Sequence, residues 1–141
     1  MEFTLAATDA APYGDVLGRV REALGEAGFG VLTEIDITTT LRTKLGVETP
    51  PRVILGACRP QLAHQALQAD PRVATLLPCN VVVTGAGDAV TEVEVFDPAI
   101  MPTLSDHPAL RDVVDDARRR LTAMLAALAA PDEETDDAAS R

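Results

Sequence analysis

Aromatic side chains are scarce in this sequence of 141 residues, which has no tryptophan, one tyrosine and three phenylalanines. Proteins that bind single-stranded nucleic acids stack bases on aromatic side chains, so this scarcity disfavours that class of function. Basic residues are also few, because 12 Lys and Arg stand against 22 Asp and Glu and leave a net charge of −10. Such a charge repels phosphate backbones and anionic lipids, which argues against nucleic-acid and membrane partners.

Long apolar runs are absent as well, and no run approaches the ~20 residues that span a bilayer. The first 15 residues, MEFTLAATDAAPYGD, have neither the basic region nor the apolar core of a secretory signal. With only two cysteines in the chain, a disulfide framework is not expected. These absences together predict a cytoplasmic protein whose two thiols are free.

Aliphatic side chains supply the core in place of aromatic ones, since apolar residues make up 47% of the chain. A chain of this length buries roughly 68–70% of its unfolded surface, so it folds without disulfides or a structural metal. Acidic residues concentrate in residues 131–141, PDEETDDAASR, which hold five acids and one arginine. We therefore predict one domain over residues 1–130 and a disordered acidic tail over residues 131–141.

The spacing of apolar residues predicts the order strand, helix, strand, helix, strand, helix, hairpin, helix. In the second strand, Val31 and Ile35 are assigned to one half-buried face, and Glu34 and Asp36 to the opposite face. The predicted strands cover residues 2–8, 29–36, 52–58, 78–84 and 90–96, and the predicted helices cover residues 12–27, 38–45, 60–69 and 106–129.

The hairpin decides the predicted fold class. Its turn is placed at Gly85–Asp88, and the strand after it alternates valine with glutamate. Such alternation is typical of an antiparallel sheet with one solvated face. The expected fold is therefore α+β, a single domain with a mainly antiparallel sheet and helices packed on one face.

Four stretches along the chain carry a resemblance to a known family. They are GFGVLTEIDITTTLRTKLGV, RVILGACRPQLAHQALQADP, LLPCNVVV and FDPAIM. Together they resemble the domain of unknown function 302 family, and the similarity extends over roughly residues 13–128, although the glycine-rich first helix, PYGDVLGRVREAL, departs most from it. The resemblance implies a TATA-binding-protein-like α+β arrangement and members that associate as homodimers. It implies no activity and no DNA binding, because a fold does not determine function.

Cys58 is the first candidate for special chemistry, since it directly precedes Arg59 and a predicted helix that begins at Pro60. Backbone N–H groups at the helix start and the Arg59 guanidinium both favour a thiolate, the reactive form of cysteine. Such a thiol serves as a nucleophile, a redox centre or a ligand for a soft metal. The alternative is a small, inert core residue at a tight junction between strand and helix.

Cys79 starts another predicted strand, and it meets Cys58 if the two strands are neighbours. A close pair would allow a reversible disulfide, a persulfide or a soft-metal site. Nothing in the spacing requires this, because the chain has no CxxC motif. Neither histidine is predicted to be a ligand, since His64 lies on the solvated side of its helix and His107 belongs to a helix start.

Four polar residues are further candidates for ligand binding beside Arg59. Glu34 and Asp36 share a strand face and could bind a cation or perform acid–base chemistry, or they could simply form a solvated face. Asn80 is a polar residue at the start of a valine-rich strand, which is unusual, and Asp97 lies where another strand ends. The side chain of Asn80 could equally form a hydrogen bond with an unpaired backbone N–H or carbonyl group.

These features predict an uncharacterised domain whose chemistry centres on Cys58 and Cys79, in a redox, sulfur-carrier or soft-metal accessory role with Glu34 and Asn80 as neighbours. The alternative is a non-catalytic ligand-binding or protein-interaction domain in which the cysteines are structural. A third hypothesis is a hydrolase or isomerase that uses Glu34 and Asp36. No motif in the chain identifies an enzyme class or a cofactor.

Overall fold

Residues 2–129 are described by the computed structural model, and they form five strands and five α-helices. The sheet is antiparallel throughout, with strand order β1-β5-β4-β3-β2, which confirms the α+β fold class. The predicted acidic tail lies outside the described residues. The strands are β1 (Thr4–Asp9), β2 (Gly30–Asp36), β3 (Arg52–Cys58), β4 (Cys79–Gly87) and β5 (Val90–Phe96). The helices are α1 (Tyr13–Glu26), α2 (Ile37–Leu45), α3 (Pro60–Ala69), α4 (Met101–Leu104) and α5 (Leu110–Ala129).

One face of the sheet is covered by α1 and α5 and forms the main core. Every second residue of β3, β4 and β5 points into it and is buried. Burying one Val or Leu side chain stabilises a fold by roughly 1.5–3 kcal/mol, so this layer is the main source of stability. The buried aliphatic side chains of these strands are those of Val53, Leu55, Ala57, Val81, Val83, Val93 and Val95.

The alternate residues of the same strands form the opposite face, here called the open sheet face. It carries a shallow groove with a volume of about 460 Å³. The groove combines apolar side chains with Arg52, Glu92 and Glu94. The two glutamates belong to β5, and their place on this face agrees with the predicted alternation of valine and glutamate in that strand. Its lining includes Phe3, Thr4, Arg52, Ile54, Asn80, Val82, Thr84, Glu92, Glu94 and Phe96.

Helix α5 buries the predicted apolar stripe, from Leu110 to Leu128. Its start differs from the prediction, because the helix begins at Leu110 and not at Asp106. Pro108 explains the difference, since a proline disfavours helical geometry in the residue before it, here His107. The chain instead forms a turn in which the Leu110 N–H donates to the His107 carbonyl at 3.1 Å.

Strand β2 also differs from the prediction. A bulge lies between Val31 and Thr33, so that Val31 pairs with Ala57 but Thr33 pairs with Gly56. The prediction that Val31 and Ile35 share a face was wrong, because one extra residue reverses the alternation beyond it. The strand lies at the sheet edge and is mostly exposed, where half burial was predicted.

The hairpin turn is shorter than predicted, because β4 continues through Gly87. Gly85 still pairs with Thr91 in the ladder, and its N–H donates to the Pro51 carbonyl at 2.8 Å. These two contacts keep Gly85 in the strand, so the predicted turn at Gly85–Asp88 was placed too early.

Besides α4, two short 3₁₀ helices between the main elements were not predicted. Each begins with an Asp-Pro pair, in which the aspartate caps the segment and the proline occupies its first turn. Asp70 accepts a hydrogen bond from the Arg72 N–H at 3.0 Å, and Asp97 accepts one from the Ala99 N–H at 2.9 Å. The segments are 3₁₀ helices over Pro71–Leu76 and Pro98–Ile100.

Candidate functional site

The two cysteines line one cavity at the end of the sheet, here called the thiol cavity. Its volume of about 30 Å³ exceeds the ~10–15 Å³ that one water molecule requires on this measure. The walls are almost entirely apolar. They comprise Phe29, Ala57, Cys58, Arg59, Leu62, Ala63, Ala66, Leu77, Cys79, Pro98, Met101, Val113, Val114 and Ala117.

The adjacent ends of β3 and β4 bring the two cysteines to this cavity. Cys58 is the last residue of β3 and Cys79 is the first residue of β4, where it pairs with Ala57. Consecutive residues of a strand point to opposite faces, so Cys58 and Cys79 would lie on opposite sides of a regular ladder. They reach the same cavity at the end of β3, where the chain turns into α3.

The two free thiols differ in exposure, since Cys79 is buried and Cys58 is partly exposed. Burial, with a smaller contribution from the nearby Cys58 thiol, raises the pKa of Cys79 to about 11. A thiol with this pKa carries very little thiolate at neutral pH, and the thiolate is the reactive form. Cys79 is therefore an unreactive lining residue of the cavity at neutral pH. If either thiol reacts, we expect it to be Cys58.

Arg59 connects β3 to α3, where it occupies the N-cap position, and it is the only charged side chain among the cavity residues. Its Nη1 donates a long hydrogen bond of 3.5 Å to the Gly28 carbonyl. Its Nε is buried and has no hydrogen-bond partner within residues 2–129. The salt bridges formed between described residues do not include Arg59.

A second guanidinium approaches the same place from α5. Arg120 donates to the Ala27 carbonyl at 2.9 Å and to Asp116 at 2.8 Å. Gly28 lies between the two arginines with φ at +92°, and a Cβ built there would stand 2.6 Å from Arg59 Nη1 and 3.1 Å from Arg120 Nη1. The positive φ favours glycine at this position, and any larger residue would also displace the ends of the two arginine side chains.

The predicted carboxylate pair lies away from this cavity, on the exposed edge strand. Glu34 and Asp36 do share one face, since they pair with Leu55 and Val53. Glu34 forms a salt bridge with Arg21. Asp36 caps α2, and hydrogen bonds from the Thr39 N–H and hydroxyl group lower its pKa. Both carboxylates thus have structural partners, and neither lies beside the thiols.

Asn80 and Asp97 are also outside the thiol cavity. Asn80 is exposed in the groove of the open sheet face, although it directly follows Cys79. Asp97 caps a 3₁₀ helix and accepts a hydrogen bond from Arg118 Nε at 3.1 Å. Of the sequence candidates, the structure therefore groups Cys58, Cys79 and Arg59, and it separates the remaining four from them.

The cavity residues that sequence reasoning missed come from distant parts of the chain. Met101 belongs to the unpredicted α4, and Phe29 had been assigned to a strand. The FDPAIM stretch carried a usable signal, because an Asp-Pro pair is typical of a capped helical start.

Within residues 2–129, no group of three or more His, Cys, Asp or Glu is arranged to hold a metal ion. In the same part of the chain, no helix is both long and apolar enough for a membrane span.

Comparisons with known proteins agree on the family. The profile of the domain of unknown function DUF302 matches residues 3–128. A crystal structure of an uncharacterized conserved DUF302 protein from Bacillus stearothermophilus is similar to this chain, with a TM-score of 0.82 and 29% sequence identity. The match covers 91% of this chain and 99% of that protein. Among curated proteins, none matches the chain.

Proposed function

Since this chain belongs to the DUF302 family, whose name specifies no activity, we propose from the thiol cavity that the protein is a binding domain for a small, mainly apolar molecule. The observation that carries the proposal is the composition of the cavity, whose almost entirely apolar walls include two cysteines and one arginine. Binding sites for small molecules commonly combine apolar walls with a few polar groups that fix orientation. The cavity volume of about 30 Å³ admits a group of roughly two non-hydrogen atoms, such as an ethyl group.

A titration followed by NMR tests this proposal. Propionamide, a neutral molecule with an ethyl group, is added to ¹⁵N-labelled protein. We expect saturable shifts of the amides of Leu62, Cys79 and Met101, whose side chains line the cavity. Ala63→Met places a larger side chain at a partly exposed wall position and abolishes these shifts.

Ala123→Met is the matched control, because Ala123 lies on the exposed side of α5 and leaves the cavity unchanged. The proposal fails if propionamide causes no saturable shift, or if Ala63→Met binds it as well as the unsubstituted protein does. A non-catalytic protein-interaction domain would then be the better description.

Thiol chemistry is the second candidate function. Cys58 favours it, because this thiol is partly exposed and directly precedes the Arg59 guanidinium. A redox, sulfur-carrier or soft-metal role would use Cys58 as the reacting atom, and the free state of both thiols suits a reducing cytoplasm. Treatment of the folded Cys79→Ser variant with iodoacetamide at pH 7 tests this, and failure of Cys58 to react would end the thiol hypothesis.

We also propose a homodimer formed through the open sheet face. Arg52 and Glu92 both pair with Thr84 of the central strand, one on each side. A twofold axis parallel to β4 would place each Arg52 opposite Glu92 of the other copy, and Val82 opposite Val82. Packed sheets lie about 10 Å apart, a distance that these two long side chains can bridge. This charge complementarity supports a second copy of the chain as the partner.

A further inference from the structure

We infer that the thiol cavity is a binding site for one copper(I) ion, with the sulfur atoms of Cys58, Cys79 and Met101 as its ligands. All three residues line the cavity. Each lies at the end of an element, since they are the last residue of β3, the first residue of β4 and the first residue of α4. The inference rests on the second candidate function, thiol chemistry at Cys58, and it adds the identity of the metal and a third ligand.

The backbone places the two cysteines within reach of one ion. Cys79 pairs with Ala57, the residue before Cys58, in the ladder between β3 and β4. Neighbouring strands lie about 4.8 Å apart, and two metal–sulfur bonds of about 2.3 Å each, the length found for zinc, extend over a similar distance. The cavity volume of about 30 Å³ exceeds what one water molecule requires, so a single metal ion also fits.

The donor atoms favour copper(I) over other metals. Thiolate and thioether ligands are soft and select copper(I), whereas calcium and magnesium take oxygen ligands. The described residues that line the cavity include three with sulfur and no histidine, aspartate or glutamate. Structural zinc sites have four protein ligands, so zinc would lack one there.

Binding balances without a redox step. Copper(I) takes the place of the protons of two thiols, so two protons leave, two copper–sulfur bonds form and no atom changes its oxidation state. A coordinated thiol is deprotonated by the metal itself, so Cys79 need not be ionised beforehand. One ion and two thiolates carry a charge of −1 together. Arg59, which forms none of the salt bridges between described residues, offsets this charge from the cavity wall without a direct bond.

The surroundings of the three sulfur-containing residues suit a soft metal. Phe29, Leu62 and Val113 are buried apolar residues of the cavity wall, and an apolar shell limits the access of water to a metal site. Cys58 is partly exposed, which gives the ion a path of entry.

Competition with the chelator bicinchoninate for copper(I), under argon and with the full reduced chain, tests the inference. We expect one copper(I) ion per chain, with only sulfur neighbours in X-ray absorption at the copper edge. Cys58→Ser removes a thiolate at a partly exposed position and should lower the affinity at least ~100-fold. Met101→Leu removes the weaker thioether ligand, keeps a similar volume and should lower the affinity about 10-fold.

Met124→Leu is the matched control, because Met124 is a buried methionine of the main core and does not line the cavity. It should retain the full affinity. The three-sulfur site is overturned by an affinity that survives Cys58→Ser, by equal affinities of Met101→Leu and Met124→Leu, or by zinc(II) binding as tight as that of copper(I). If Cys58 reacts with iodoacetamide but the chain binds no copper(I), the metal inference fails and the thiol candidate stands. Failure of both tests overturns both.

Discussion

At the scale of single residues, Cys79 illustrates how burial sets the chemistry of a thiol. Its pKa is raised to about 11, chiefly because the side chain is removed from water. In the Cys58→Ser variant, we expect iodoacetamide to label Cys79 at pH 8 at least ~100-fold more slowly than an ordinary thiol of pKa ~8.5. Intact-mass measurements at pH 7, 8 and 9 would follow the reaction.

Labelling of Cys79 should accelerate as the pH rises towards 11, because the thiolate fraction grows roughly ten-fold per pH unit below the pKa. The same variant unfolded in urea is the control, and there the thiol should react at the ordinary rate. Fast labelling of the folded variant at pH 7 would contradict the buried position of Cys79.

The sequence predicted part of this residue-level arrangement. Cys58, Arg59 and Cys79 were selected because they occupy strand and helix ends, and the structure brings them to one cavity. The role of Arg120 was not predictable, because its partner at Ala27 lies 93 residues earlier in the chain. A contact of that kind depends on how α1 packs against α5, which local periodicity does not specify.

At the scale of elements, α2 depends on local bonds more than on packing. Thr38 is its only buried residue, and this hydroxyl group accepts a hydrogen bond from the Arg52 N–H at 2.7 Å. Asp36 caps the first turn through the Thr39 N–H at 3.0 Å, and Gly46 ends the helix with φ at +70°. The sequence predicted the end at Leu45 as observed and placed the start one residue late, at Thr38, since capping residues act within a few positions of the helix.

Replacing the cap should therefore loosen α2 alone. We expect Asp36→Ala to speed hydrogen exchange of the α2 amides by about five-fold, the usual effect of losing an N-cap. Asp36→Asn retains a side-chain oxygen and should leave the exchange rates near those of the unsubstituted protein. Amides of α5 serve as the internal reference, and equal acceleration in α5 would show that the effect is global.

The elements that the sequence misplaced have non-local causes. The bounds of β3, α3 and β5 were predicted as observed, because proline, glycine and alternating valines mark them. The bulge in β2 arises from pairing with β3, which no pattern within β2 reveals. The thiol cavity likewise forms only where α3, α4 and α5 meet the sheet end.

At the scale of the whole molecule, the proposed dimer depends on charge pairing across the open sheet face. Arg52→Glu should weaken a dimer of the proposed geometry at least ~10-fold, because two like charges would then face each other across the interface. Glu92→Arg should do the same, and the double variant should restore association. Sedimentation velocity at micromolar concentration would measure all four proteins.

Lys44→Glu provides the matched control, since Lys44 is an exposed residue of α2 outside the groove. It should leave the dimer unchanged despite the same change of net charge. A monomeric unsubstituted protein, or a double variant no better than the single ones, would contradict the proposed interface.

The bulge in β2 has a consequence for the solubility of the folded chain. An edge strand offers unpaired backbone groups to any extended peptide, and long flat edges promote fibril growth. Leu32 and Ile35 are 64% and 47% exposed, so this edge is apolar enough to be a hazard. The extra residue bends the strand and interrupts its hydrogen-bonding row, and the neighbouring Glu34 adds a charge that repels like edges. We therefore expect the bulge to oppose aggregation along this edge.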